Sequence, residues 1–595
     1  MIAVLSTINP GFILIVLGVI VCFVPVQRIR NILTIGAPLA GLSILMLAER
    51  GVTLSSAAVL NTQLSLYYVD RLNFIFGLGF LLLAFLYAIY ALHRDDRLHD
   101  GASTIFAGSA IAAVFAGDLM SLFIFWEIGT VAAAFLILRA GTKAAYQAGM
   151  RFLGFHILSG VLLLDGLIYI YKKTGGFAFE DVGIIESFDH PAAKYLFAAF
   201  AIKAAFPLVH TWLKDVTPKM TVFGAILLPA LTTILAVYGF ARILPGFAAL
   251  TWIGVIMAVY AVIFAAIVDD ARRILAYGQN ALTGLMICAI GLGTPLALNA
   301  VAALAFLSLI GVGLLSMGVG NVLYSAGTAK LSSLGGLWRA MPLTALLMML
   351  GAVILSGLPL FLGGVTFPLL LHVTSGSGLA VQLGILVGLA GLIYALCLRL
   401  PMSLFFGEDA RLRPPEAPFN MLLAMGLLAL LGLLLALPNV ISGLGYEWLY
   451  GLLPCQAGTR LMACDVSGLP LTGFDPYRVS HISVVLQVTF STALAYAFMR
   501  QLMGVGRHKD GIVLDTDWLY RKWGYGVAKW SGQIWQKAGP ALTGIAGGLG
   551  RQIFVRLEET FSPRGKLAYS GLNSGAAIWS AVLLGFVMMV VLLSI

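Results

Sequence analysis

Apolar residues run along this chain in long blocks, and a helix that crosses a hydrocarbon core needs roughly 20 of them. Sixteen such blocks are placed, near 10–26, 31–48, 73–92, 102–117, 119–138, 152–171, 195–213, 221–241, 249–268, 276–293, 297–323, 341–372, 380–399, 418–437, 480–499 and 572–595. They predict an all-α polytopic membrane protein. The first block lacks the charged lead and small-residue cleavage pattern of a signal peptide, so it is read as a retained span and part of the fold. Two blocks are interrupted. The seventh reads AIKAAFPLVHTWLKDVTPKM (201–220), broken at Pro207 and Pro218, and the twelfth reads ILSGLPLFLGG (354–364), broken at Pro359 among glycines. Proline in a membrane helix frees a carbonyl that only protein or water can satisfy, so both breaks predict hydrated interior. Lying five spans apart, they suggest two inverted five-helix repeats within about 14 core helices.

This pattern divides the chain into N-terminal spans (1–100), a first repeat (101–245) and a second repeat (246–410). Additional spans follow (411–500) with an outside loop at 438–479, then a basic aromatic segment (501–571) and a last helix (572–595).

Composition agrees, with 60% hydrophobic and 10% charged residues where soluble domains carry about 25% charged. Lysine and arginine set orientation, because basic residues near span ends stay on the cytoplasmic side. With the N-terminus outside, the inside segments hold 27 of the 36 basic residues, the outside loops eight, and Lys203 lies within a span. The net charge of +10 thus reads as membrane orientation and contact with anionic lipid in a cell inner membrane, not as a nucleic-acid footprint. Cys22, Cys288 and Cys397 fall in apolar spans as small hydrophobes. Cys455 and Cys464 fall in the outside loop, where an oxidising compartment leaves two readings open, a disulfide or two free thiols.

Charges inside spans carry the functional argument, since each costs roughly 2.5–3.5 kcal/mol at a helix centre on insertion scales. Glu127 lies mid-span in DLMSLFIFWEIGTVAAAF (118–135), and Lys203 lies mid-span four residues before Pro207. A carboxylate and an amine at similar depth can pass a proton; the alternative is a structural ion pair welding two helices. His210, after the Pro207 break, is a third relay candidate. His156, Asp165 and Asp70 are secondary: His156 as a packing residue or relay, Asp165 as a partner of Lys172 or Lys173, Asp70 as the helix cap of the third span. The turn Asp269, Asp270, Arg272 and Arg273 reads as solvated.

Taken in order, these strings resemble the antiporter-like family: complex I membrane-arm subunits, the large subunits of Mrp sodium/proton antiporters (the D-type above all) and membrane-bound hydrogenase relatives. VDRLNFIF, DLMSLFIFWE, KAAFPLVHTWLKD, DDARRILAY, LGGLWRAMP, SGLPLFLGG and IYALCLRLPMSLFFG carry the resemblance across roughly residues 65–410. It implies a relay role for Glu127, Lys203 and His210, and proton or cation/proton transport within a multi-subunit respiratory or antiporter complex. The chain also departs from the family. The eighth span has no lysine, 297–323 has no charged residue or histidine, and Leu355 stands four residues before Pro359 where Lys203 precedes Pro207. Three readings follow: a partner completes the path, the protein is a degenerate structural spacer, or water passes along Ser308, Ser316 and Asn321. DTDWLYRKWGYGVAKWSGQIWQK (515–537) sets tryptophans among basic residues, as in an interfacial amphipathic helix. The order resembles the lateral helix and final span of one complex I subunit, which makes other membrane subunits the expected partners. With no dinucleotide fingerprint, haem motif or cluster-ligating cysteine set, no cofactor is expected, no metal site is assigned, and any oxidoreductase activity would belong to the assembly.

Overall fold

Helix follows helix along the chain because the apolar blocks leave backbone groups only themselves to bond to inside a membrane. The computed structural model describes residues 7–59, 62–179, 181, 190–438, 445–454 and 474–503, with Gly526, Lys529 and Trp530 beyond them. The chain divides into units 1–510 and 511–595, and the first is described here. Cys455, Cys464, the predicted last helix 572–595 and nearly all of 501–571 lie outside the described residues.

The elements begin with α1 (Pro10–Phe23) and α2 (Gln27–Leu47), followed by a hairpin of β1 (Thr53–Val59) and β2 (Thr62–Tyr68). Next come α3 (Arg71–Tyr90), α4 (Arg97–Val114), α5 (Leu119–Leu138) and α6 (Lys143–Thr174). The broken pair α7 (Pro191–Lys203) and α8 (Thr211–Val216) precedes α9 (Gly224–Ile243), α10 (Ala248–Ile267) and α11 (Ala271–Leu292). α12 (Pro295–Leu307) and α13 (Gly313–Ala326) are joined by a π-turn at Ser308–Val312, so together they form one 32-residue span. A second broken pair, α14 (Pro342–Leu355) and α15 (Leu362–Thr374), leads to α16 (Leu379–Leu392), a π-turn at Ile393–Arg399 and α17 (Leu400–Phe405). α18 (Phe419–Leu434), α19 (Tyr446–Gly451) and α20 (Val479–Met503) complete the described part. Ten helices among the described residues are long and apolar enough to cross a membrane.

Local chemistry sets the boundaries. Asp70, Asp96, Asp118, Thr142 and Asp270 each cap a helix by accepting backbone N–H bonds from its first turn, which satisfies donors the helix cannot. Packing without a hydrophobic drive between helices relies on small residues. At the α1–α4 crossing, a Cβ on Gly11 would fall 2.2 Å from the Ala112 nitrogen. At α10–α11, a Cβ on Gly254 would fall 2.3 Å from the Cys288 nitrogen.

Both predicted breaks are present and share a backbone signature. The residue after each proline, Leu208 (φ 75°) and Leu360 (φ 68°), lies in the left-handed region, where a branched residue is strained. The hairpin was not predicted, although its Val59↔Thr62 closure falls in the polar stretch between the second and third blocks. The turn at 269–273, read above as solvated, is structural. Asp270 caps α11, Arg272 donates to the Met220 and Pro218 carbonyls, and Asp269 accepts from Ser332 Oγ at 2.6 Å.

Candidate functional site: a buried glutamate and lysine beside a broken helix

α5 starts at Asp118, whose carboxylate accepts from the Ser121 nitrogen at 2.7 Å and hydroxyl at 2.8 Å. Glu127 follows eight residues after Leu119, about 12 Å along the helix, and is only 3% exposed. α7 ends on Lys203 because Pro207 offers no N–H and forbids helical geometry just before it. The chain reverses through Ala205 (φ 58°) and Leu208 before α8. The Ile202 carbonyl accepts from the Ala205 N–H at 3.2 Å and also from Trp212 Nε1 at 2.8 Å. The break is thereby closed by its own second half, and Lys203 stands fully buried at its edge.

Lys203 Nζ donates to Glu127 Oε1 at 3.0 Å and to Thr130 Oγ1 at 3.2 Å, and lies 4.7 Å from the Trp126 ring centre. Two opposite charges are thus removed from water together, with one turn of α5 supplying carboxylate, hydroxyl and aromatic face. Gly160 of α6 admits the carboxyl: a Cβ there would lie 3.0 Å from Glu127 Cδ and from both its oxygens. Glu127 Oε2 has no hydrogen-bond partner among the described residues, which leaves one oxygen available to a water or a proton.

His156 stands beside this pair. Its Nδ1 donates to the Phe152 carbonyl at 3.0 Å, a bond that fixes the tautomer and leaves Nε2 as acceptor. The ring stacks on Phe152 at 3.8 Å and meets Trp212 edge-on at 4.8 Å. It lines a small cavity shared with Trp126, Thr130 and Thr232. The other candidates are placed differently. The buried His210 ring packs against Tyr260 of α10 and Tyr277 of α11, at 5.0 and 6.3 Å. Asp70 closes a capping box with Asn73 and pairs with Arg242 of α9. Asp165 is half-buried on α6, and no ion pair joins it to Lys172 or Lys173 among the described residues.

Two polar assemblies escaped the sequence reading. Arg30, 1% exposed, pairs with Asp95 and Asp100, and Asp100 also pairs with Arg94. These residues lie in basic stretches between apolar blocks, and only packing shows that Arg30 and Asp100 are buried. Gln279 of α11 is the second case: an amide within an apolar block gives no signal until its neighbours are known.

A bundle of apolar helices with two proline breaks and a buried carboxylate–amine pair defines a multi-pass membrane protein of antiporter-like architecture. Residues 116–392 match the family described as NADH:quinone oxidoreductase/Mrp antiporter, TM. The A-type subunit of the Na(+)/H(+) antiporter of Alkalihalophilus pseudofirmus is 27% identical over 428 residues, 63% of this chain and 53% of the relative. The D-type subunit of the Bacillus subtilis Na(+)/H(+) antiporter is 23% identical over 366 residues, 59% of this chain and 73% of the relative. The chain therefore spans about half the length of the first of these. In fold it is similar to a chain in the structure of the Mrp complex from Dietzia sp., with a TM-score of 0.71 at 20% identity over 94% of this chain and 62% of that one.

Proposed function

We propose that this chain is a proton, or cation/proton, translocating subunit of a multi-subunit antiporter or respiratory membrane complex, with Glu127 and Lys203 as the relay pair. The observation that carries the reading is the 3.0 Å contact between Lys203 Nζ and Glu127 Oε1, both buried and both beside a proline break. A welded pair needs neither an unpartnered oxygen nor a cavity, yet among the described residues Glu127 Oε2 lacks a partner, and Thr130, which accepts from Lys203, lines the His156 cavity. In this reading the proton enters at Glu127, is exchanged with Lys203 and reaches Thr130, His156 and water in the cavity. His210, against α10 and α11, serves the onward side of the break. Other membrane subunits and anionic lipid are the partners, and the N-terminus faces outward from an inner membrane.

Proton flux in vesicles carrying the reconstituted complex tests this. Lys203→Ala and Glu127→Gln should each abolish flux while the complex still assembles, and unchanged flux in both would remove the central claim. One observation favours a second reading, a structural protein of the complex without its own path: α12, α13 and α14 contain no charged side chain and no histidine. That reading expects full activity from both variants and loss of assembly on deletion of 515–537.

A further inference from the structure

Where the two repeats meet, beside spans of the second that lack lysine and histidine, runs a directed chain of neutral hydrogen bonds. Ser308 Oγ, at the start of the π-turn, donates to Gln279 Oε1 at 2.9 Å. Gln279 Nε2 donates to Thr233 Oγ1 at 2.9 Å, and Thr233 Oγ1 donates to the Pro229 carbonyl at 2.8 Å. All three side chains are at most 1% exposed, so three helices meet deep in the bundle on uncharged polar groups whose dipoles run one way and reinforce one another.

Two cavities flank this chain. Thr232, adjacent to Thr233 on α9, lines the cavity that holds Thr130 and His156 beside Lys203. Gln279 lines a second one together with Ser316, Ala225, Thr217 and Arg272. From Gln279 to Arg272 is seven residues of α11, about 10 Å, so the second cavity reaches from mid-helix to the basic turn at 269–273. Its wall carries hydroxyl, amide and guanidinium groups. Pro229 also gives no N–H to the Ala225 carbonyl, the helical acceptor four residues before it. On an otherwise largely apolar wall these are the polar partners that a water needs.

We propose that Gln279 is the positioning residue of a neutral, water-bearing bridge that joins the Thr130–His156 cavity next to the Glu127–Lys203 pair, through Thr232 and Thr233, to a crevice opening at Arg272. The bridge rests on the proposed function for what travels along it. The amide stores no proton; it holds the hydroxyls and waters in line, and it supplies a lateral connection without a buried charge. That connection makes the second half of this chain a conducting element rather than a spacer.

The test uses the full chain in its reconstituted complex. Ser316→Cys should react with a small charged methanethiosulfonate added to the vesicles, measured against the parent protein as blank. Leu304→Cys, fully buried away from the crevice, should not. Gln279→Leu should lower proton flux about tenfold, the scale set by one lost buried hydrogen bond. Gln279→Glu should change the pH dependence of the flux relative to parent, which a purely structural amide would not produce. Flux in Gln279→Leu within about twofold of parent, or a Ser316→Cys as inert as Leu304→Cys, overturns the bridge. If Lys203→Ala abolishes flux while Gln279→Leu preserves it, the bridge alone fails. If neither changes flux, the relay reading fails first. A Gln279→Leu protein that does not assemble leaves the cysteine reactivity to decide.

Discussion

Removing one member of the Glu127–Lys203 pair should hurt stability more than removing both. At 3.0 Å and an effective dielectric of about 20, the two charges attract by about 5–6 kcal/mol, a gain offset by the desolvation of each. Lys203→Met removes the attraction and leaves the desolvated carboxylate, 3% exposed, with no cation in contact. Glu127→Gln leaves a buried ammonium with the amide oxygen, the Thr130 hydroxyl and the Trp126 face, but no counter-charge. Each single change should therefore cost about 3 kcal/mol, the lower end of the range for breaking a buried pair. This corresponds to a factor of about 150 in the folding equilibrium, at 1.4 kcal/mol per tenfold. The double variant holds two neutral side chains of similar volume and should lie within about 1 kcal/mol of parent, because neutral replacement of a buried pair is often harmless. The assay is unfolding in mixed detergent and dodecyl sulfate micelles, comparing the four proteins of the cycle. A double variant as unstable as the sum of the singles, about 6 kcal/mol, would refute the direct coupling on which the site rests.

The other expectations are local. Gly160→Ala places a methyl 3.0 Å from the Glu127 carboxyl, tighter than ordinary contact, and should cost about 1–3 kcal/mol as overpacking while reducing flux, measured in the same vesicles. At Leu208, with φ 75°, Leu208→Gly should be neutral within about 0.5 kcal/mol and Leu208→Val should destabilise by about 1–2 kcal/mol, read from the same unfolding curves. Asp100→Asn takes the shared anion from Arg30 and Arg94 and should cost about 3–5 kcal/mol, seen as loss of monodisperse protein in mild detergent. Asp165→Asn, half-buried without an ion pair to Lys172 or Lys173, should leave flux at the parent level.

Fold class, the helix blocks within the described residues and both breaks were legible in the sequence because each has a one-dimensional cause. A bilayer demands apolar length, and proline cannot donate. Glu127 and Lys203 were legible for the same reason: a charge within an apolar block is costly enough to be conspicuous. The Asp70 cap was legible too, since capping is decided within four residues. Other features depend on what comes together from afar. Arg30 and Asp100, 70 positions apart, read as loop charges until α2 and α4 enclose them. Ser308 is marked in the sequence only as a water contact, and Gln279 and Thr233 are neutral residues without a signal, until packing closes the hydrogen bonds between the three. Asp269 reads as solvated until Ser332 arrives. The sequence thus determined that this protein crosses a membrane, where its helices break and which charges they bury. Tertiary structure alone decided that Lys203 meets Glu127 across 76 positions, that Gly160 makes room for the carboxyl, and that the relay-poor half contains a neutral polar chain. The physical reason is that insertion cost is a property of each segment, whereas hydrogen-bond satisfaction in a dry interior is a property of the pairs that packing creates.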